Sequence, residues 1–183
     1  MHRIFTAVAL AVFASLAGPW APVRAQQAAS DQPQGITPMS QFLQQAGFSL
    51  DPAEASYLDA DQNVQIQYVG PLFEAFRLAG SEESGLPDSA AQEQIVAALQ
   101  KIVALDPNAA PQAPASLARL RELAVEQRAA LRRAAVGWLS ALQAGDENWR
   151  QRGADDFAAA RQSLGAWNQE MLMRYPPPEQ PPS

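Results

Sequence analysis

The side chains able to do chemistry in this chain are almost all carboxylates and guanidiniums. Of 183 residues one is histidine, His2, and none is cysteine. His2 lies in a stretch with the form of a secretory signal peptide. Arg3 precedes an apolar run from Ile4 to Ala17, Gly18-Pro19 breaks it, and Val23 and Ala25 supply the small residues a signal peptidase accepts. Cleavage is expected after Ala25, because the run is too short to cross a hydrocarbon core of about 20 residues. A mature chain without His or Cys has no means for Ser-His-Asp or Cys-His nucleophilic catalysis, the usual zinc and copper sites, or iron–sulfur ligation. No cofactor is expected, and the chemistry left belongs to carboxylates, Tyr, Arg and Lys101.

The carboxylates offer two arrangements. Asp59-Ala60-Asp61-Gln62-Asn63 opens like a calcium loop, but Val64 stands where the turn glycine is needed and Gly70 where the bidentate Glu belongs. A polar helix surface explains it better. The pairs Glu82-Glu83, Asp146-Glu147 and Asp155-Asp156 could furnish the two acids of a glycosidase. Neighbours on a helix point about 100° apart, however, and Asp146-Glu147 already suits a helix N-terminus.

Arg128, Arg132 and Arg133 make a cationic turn with Glu122 and Glu126 close by. Such a turn is either a solvated face or a docking face for an acidic partner. Trp138, Trp149 and Trp167 fall on apolar stripes, which means core packing, or a partner-binding groove if the helices carrying them stand free. These six residues are the candidate partner-binding set. Leu123-Ala124-Val125-Glu126-Gln127 is also similar to the LTxxQ signature of small periplasmic all-helical stress chaperones, with Ala124 in place of Thr. That resemblance implies ATP-independent binding of unfolded clients on a cradle of helices.

The elements that must position these residues read as helices. Thr37-Pro38 starts a short one through Phe42 and Leu43 that stops at Gly47. Asp51-Pro52 caps a second, and Val64-Gln65-Ile66-Gln67-Tyr68 within it alternates like a strand but has no partner strand elsewhere. Gly70-Pro71 is expected to kink or break that helix. Asp88 or Ser89 caps the next, carrying Ile95, Leu99 and Ile102 and ended by Asp106-Pro107. From Leu117 the apolar steps reach Leu142, Gly145 stops the helix and Asp146 caps another bearing Trp149, Phe157, Leu164 and Met171. Helices roughly 40 Å long joined by so short a turn fold back antiparallel.

The expectation is therefore an all-α bundle of about five helices with a long C-terminal antiparallel hairpin. The order is signal peptide 1–25, disordered leader 26–35, one helical domain 36–175 and Pro-rich tail 176–183. Within the domain, short helices occupy 36–106, a Pro-rich linker 107–114 and the hairpin 115–175.

Formal charge is -6, and loss of Arg3 and Arg24 takes it to -8, which argues against nucleic acid as a partner. The charge is uneven. Between Gln26 and Gln112 the cations are Arg77 and Lys101 alone, whereas from Ala113 onward arginines roughly balance the acids. Either the two halves attract one another or the arginine face meets an acidic partner. No later segment has the apolar length of a membrane span, and arginine dominating lysine in an alanine-rich chain points to a bacterial host. The function expected is that of a periplasmic or secreted, non-enzymatic helical binding protein, an accessory subunit or chaperone-like module acting on another envelope protein or an unfolded client. The alternatives are a carboxylate-dependent cell-wall glycosidase and a purely structural envelope subunit.

Overall fold

A computed structural model describes residues 37–79, 86–109 and 111–176. The segments expected to be the signal peptide and leader, Glu82-Glu83 and the expected tail beyond Pro176 lie outside them. The described residues form α1 (Met39–Gln45), α2 (Pro52–Ala79), α3 (Ser89–Ala104), a 3-10 turn (Ala115–Leu117), α4 (Ala118–Gln143) and α5 (Trp149–Arg174), with no strand among them. The fold is an all-α helical bundle.

Local signals set most boundaries. Asp51 Oδ1 accepts from the amides of Ala53 and Glu54 at 2.8 Å each, and Asp88 Oδ1 from that of Ala91 at 2.7 Å. Gly47 takes φ +94 after α1, where Phe48 N donates to Leu43 O, and Gly145 takes φ +70 after α4. Asp146 does not cap α5 directly. It accepts from Asn148 N at 2.9 Å in the connecting turn, and the helix starts at Trp149.

Two further expectations change. Thr37 does not cap α1, whose first amides are capped from outside the helix: Met39 N donates to Gln62 Oε1 and Ser40 N to Asp59 Oδ1, both at 2.8 Å. The expected break at Gly70-Pro71 is likewise absent, since α2 runs through Pro71 for 28 residues. An interior proline costs about 3 kcal/mol. Tyr68 before it and Leu72, Ala75 and Phe76 after it are all buried, and burying one large apolar side chain contributes roughly 1.5–3 kcal/mol. Burial on both flanks outweighs the one hydrogen bond that Pro71 cannot donate.

Packing is antiparallel along α4 and α5. Trp138 of α4 stacks on Trp149 at 5.9 Å and meets Phe157 edge-on at 5.5 Å, while Leu120 near the other end shares a cluster with Met171. Helices α2 and α5 also run in opposite senses. At one end Arg150 Nε donates to Ala79 O at 3.0 Å, and at the other Arg174 meets Glu54 at 3.5 Å. The N-terminal helices thus pack on the C-terminal pair, and ion pairs from Glu54 and Asp61 to Arg174 and Arg128 join the acidic half to the basic half.

The apolar interior is in two parts. The larger joins α2, α3, α4 and α5 around Tyr68, Phe76, Leu99, Trp138 and Phe157. The smaller joins α1, the first turns of α2, the 3-10 turn, the start of α4 and the end of α5 around Leu43, Tyr57, Leu120 and Met171.

Candidate functional site

Between the two apolar clusters lies a polar layer. On α2 the buried register Tyr57, Asp61, Tyr68, Leu72 places a carboxylate among apolar neighbours, and on α4 the register Ala124, Arg128, Leu131, Ala135 does the same with a guanidinium. Arg128, 0% exposed, donates from Nη2 to the Asp61 carboxylate, and Tyr57 Oη donates to the same oxygen at 3.3 Å. Two charges that would each be costly alone in a bundle interior are satisfied together. The Tyr57 phenol is pushed well above its ordinary range, first by burial and then by the Asp61 carboxylate, against a partial offset from Arg128. Tyr68 is also raised by burial, with Arg128 and Arg132 opposing.

The layer has more donors than acceptors. Among the described residues Arg128 Nε and Nη1, Gln65 Nε2 and Tyr68 Oη are buried and find no hydrogen-bond partner. Gln127, next to Arg128, is 3% exposed.

Gln65 and Gln127 also line a recess that opens to solvent between the middles of α2 and α5. Val69 and Leu72 of α2 form one wall, and Phe157, Ala160 and Leu164 of α5 the other. Leu131 of α4 lies at the floor with Gln127, and Arg161 stands at the rim. The recess is shallow, with about 10 Å³ of space inside it, roughly enough for one water molecule. It lies between the two ends at which α2 and α5 are tied together. Half-exposed Phe73 follows Val69 by one turn along α2.

The six candidate residues do not converge there. Arg128 is a correction: its position in the core register turns it inward to Asp61, so it presents nothing to a partner. Trp138 and Trp149 are each 0% exposed, because α2 and α3 cover the stripe that a free hairpin would show. Trp167 is half-buried against the smaller cluster. Arg132 and Arg133 are exposed on α4, and Arg132 Nε donates to Val103 O at 2.8 Å, satisfying a carbonyl in the last turn of α3. Leu123, Ala124 and Gln127 of the LTxxQ-like stretch face into the bundle.

Several of the acids have structural partners. Asp59 holds Ser40 through its backbone N and, at 2.6 Å, its Oγ, so the calcium-like run serves as a cap on α1 and half of an ion pair. Asp155 accepts from Gln151, Asp146 pairs with Arg152 at 3.4 Å, and the Asp156 carboxylate lies over Gly137. Among the described residues no three His, Cys, Asp or Glu side chains gather as a metal site would need.

What fold and site define is an all-α bundle with a charged layer in its interior and an apolar recess beside that layer. No protein-family model, curated protein or solved structure matches the chain. No helix among the described residues is long and apolar enough to cross a membrane. In the sequence Asp61 stands out only within the calcium-like run, Gln65 within the alternating stretch and Gln127 within the LTxxQ-like stretch, and the interior pairing of Asp61 with Arg128 does not show. The signal that could have found the pair is an acid on one helix and an arginine on another, each at an apolar spacing.

Proposed function

We propose that this is an exported, non-enzymatic binding protein of the cell envelope that meets a partner protein on the surface around the recess between α2 and α5. The observation that carries the reading is the largely apolar surface at that shallow recess, where Val69 and Leu72 of α2 and Leu164 of α5 lie with two carboxamides. Ligand sites generally combine apolar walls with a few polar groups that fix orientation. Of the acids weighed for a hydrolase, Asp146 is engaged by the Asn148 amide and by Arg152, and Asp155 by Gln151, which favours binding over carboxylate catalysis. The signal-peptide pattern supports an extracytoplasmic partner.

The test is capture from an envelope extract of the host by the chain beginning at Gln26, with a Val69→Arg variant alongside. Capture of one stoichiometric protein by the parent and none by Val69→Arg, with unchanged helical circular dichroism, supports an accessory subunit working through the recess. Many substoichiometric unfolded proteins lost with the same substitution support a chaperone-like role. Equal capture by both chains overturns the recess as the binding site.

A further inference from the structure

We infer that α1 is a displaceable strap, and that the apolar groove beneath it is a second docking site that takes a short amphipathic helix of a partner protein in place of α1. The surface around the recess plays no part in it. The basis is how little α1 holds by itself. It has seven residues and no side-chain N-cap of its own, and a helix shorter than about 12 residues does not persist in water without tertiary support. Two side chains one turn apart on α2 grip its start. Gln62 Oε1 accepts from Met39 N while Gln62 Nε2 donates to Thr37 O at 3.1 Å, and the Asp59 carboxylate accepts from Ser40 N and Ser40 Oγ. Phe42 and Leu43 then fill the smaller apolar cluster with Tyr57, Leu58, Leu120 and Met171.

The seat is anchored independently of its occupant. Leu58, Leu120 and Met171 belong to α2, α4 and α5, each of which continues into the larger cluster. Among the described residues α1 joins that bundle only through residues 46–51. Gly47 in this connection has φ +94, and a Cβ there would meet nothing within 4 Å, so the backbone has both the freedom and the room to pivot. Phe48 just beyond it packs edge-on to Tyr175, with ring centroids 5.4 Å apart, and marks the fixed side of the hinge. The groove fits what α1 shows it: a helix opening on a small hydroxyl residue that reaches Asp59, with bulky apolar residues two and three positions further on. Such a ligand competes with α1, so its measured affinity is the intrinsic one scaled by the fraction of molecules in which α1 is released.

That competition gives the test its sign. A fluorescein-labelled peptide with the sequence of residues 37–48 is titrated, by fluorescence anisotropy, against the chain beginning at Gln26. The expected result is saturable binding, about tenfold tighter to the chain carrying Leu43→Ala, whose weakened α1 leaves the groove more often. The same Leu43→Ala change placed in the peptide is expected to weaken binding about tenfold. One substitution thus acts with opposite signs in the two places. Near-UV circular dichroism from Trp138 and Trp149 shows whether the larger cluster survives Leu43→Ala. If it does not, the milder Ser40→Ala in the chain decides, with binding expected to tighten about threefold on loss of the Oγ bond to Asp59. No binding to any chain, or weaker binding when α1 is loosened, overturns the strap. A parent chain that runs as a dimer and is split to monomers by the peptide overturns the partner helix as occupant, since two copies would then be exchanging α1.

Discussion

Arg128 and Asp61 are 67 residues apart in the chain and meet inside the bundle, the guanidinium of α4 against the carboxylate of α2. Their contact ties the acidic N-terminal half to the arginine-rich C-terminal half at the level where the two apolar clusters separate. Each charge is tolerable only because the other is there.

Removing one partner is therefore expected to cost far more than removing both. Arg128→Met should lower the unfolding free energy by about 3–5 kcal/mol, because Asp61 is left charged and buried, whereas Asp61→Leu with Arg128→Met should recover most of that loss. Urea unfolding of the two single variants and the double variant measures it. Additive losses would mean that the pair is not coupled.

Two glycines of α5 should respond oppositely to alanine. A Cβ on Gly153 would come within 2.5 Å of the Trp138 ring, and Trp138 is fixed by Trp149, Phe157 and Phe76. Gly153→Ala is expected to destabilise by about 1–3 kcal/mol despite its better helix propensity. At Gly165 a Cβ meets nothing within 4 Å, so Gly165→Ala should stabilise by about 0.5–1 kcal/mol. Thermal melts of both variants decide.

Stability should fall in alkali in a way traceable to Tyr57. Its folded-state pKa is raised by burial and by Asp61, so folding favours the protonated phenol. That contribution is complete below the ordinary tyrosine value near 10 and is lost as pH rises from there toward the raised folded value. Urea midpoints between about pH 8 and 11 should decline in the parent and decline less steeply in Tyr57→Phe.

Short α1 depends on α2 for its N-terminal caps. Asp59→Ala removes the acceptor of Ser40 N and Ser40 Oγ and is expected to cost about 1 kcal/mol. Amide exchange should speed up across Met39–Gln45 first, while the amides of α4 keep their protection. Uniform acceleration throughout the bundle would show that α1 does not open as a separate unit.

Helical class, helix order and most ends could be read from residues within a turn or two of one another. Asp51, Asp88, Gly47 and Gly145 act on backbone groups three or four residues away, and the apolar spacing of Leu117 to Leu142 needs no knowledge of what it faces. The absence of His and Cys beyond the proposed cleavage site and the acidic balance were equally open to inspection. The tertiary structure decided which charges are interior and which apolar stripes are covered. Arg128 reads as part of a solvated turn with Arg132 and Arg133 until Asp61 is placed opposite it. Trp138 and Trp149 read as a possible groove until α2 and α3 close over them. The recess lined by Gln65 and Gln127, the caps that Asp59 and Gln62 carry to α1, and the passage of α2 through Pro71 depend on the same closure. A helix is stabilised by contacts three or four residues apart, which a linear pattern displays. Pairing across 67 residues depends on which of many similar apolar faces come together, and only the packed whole selects among them.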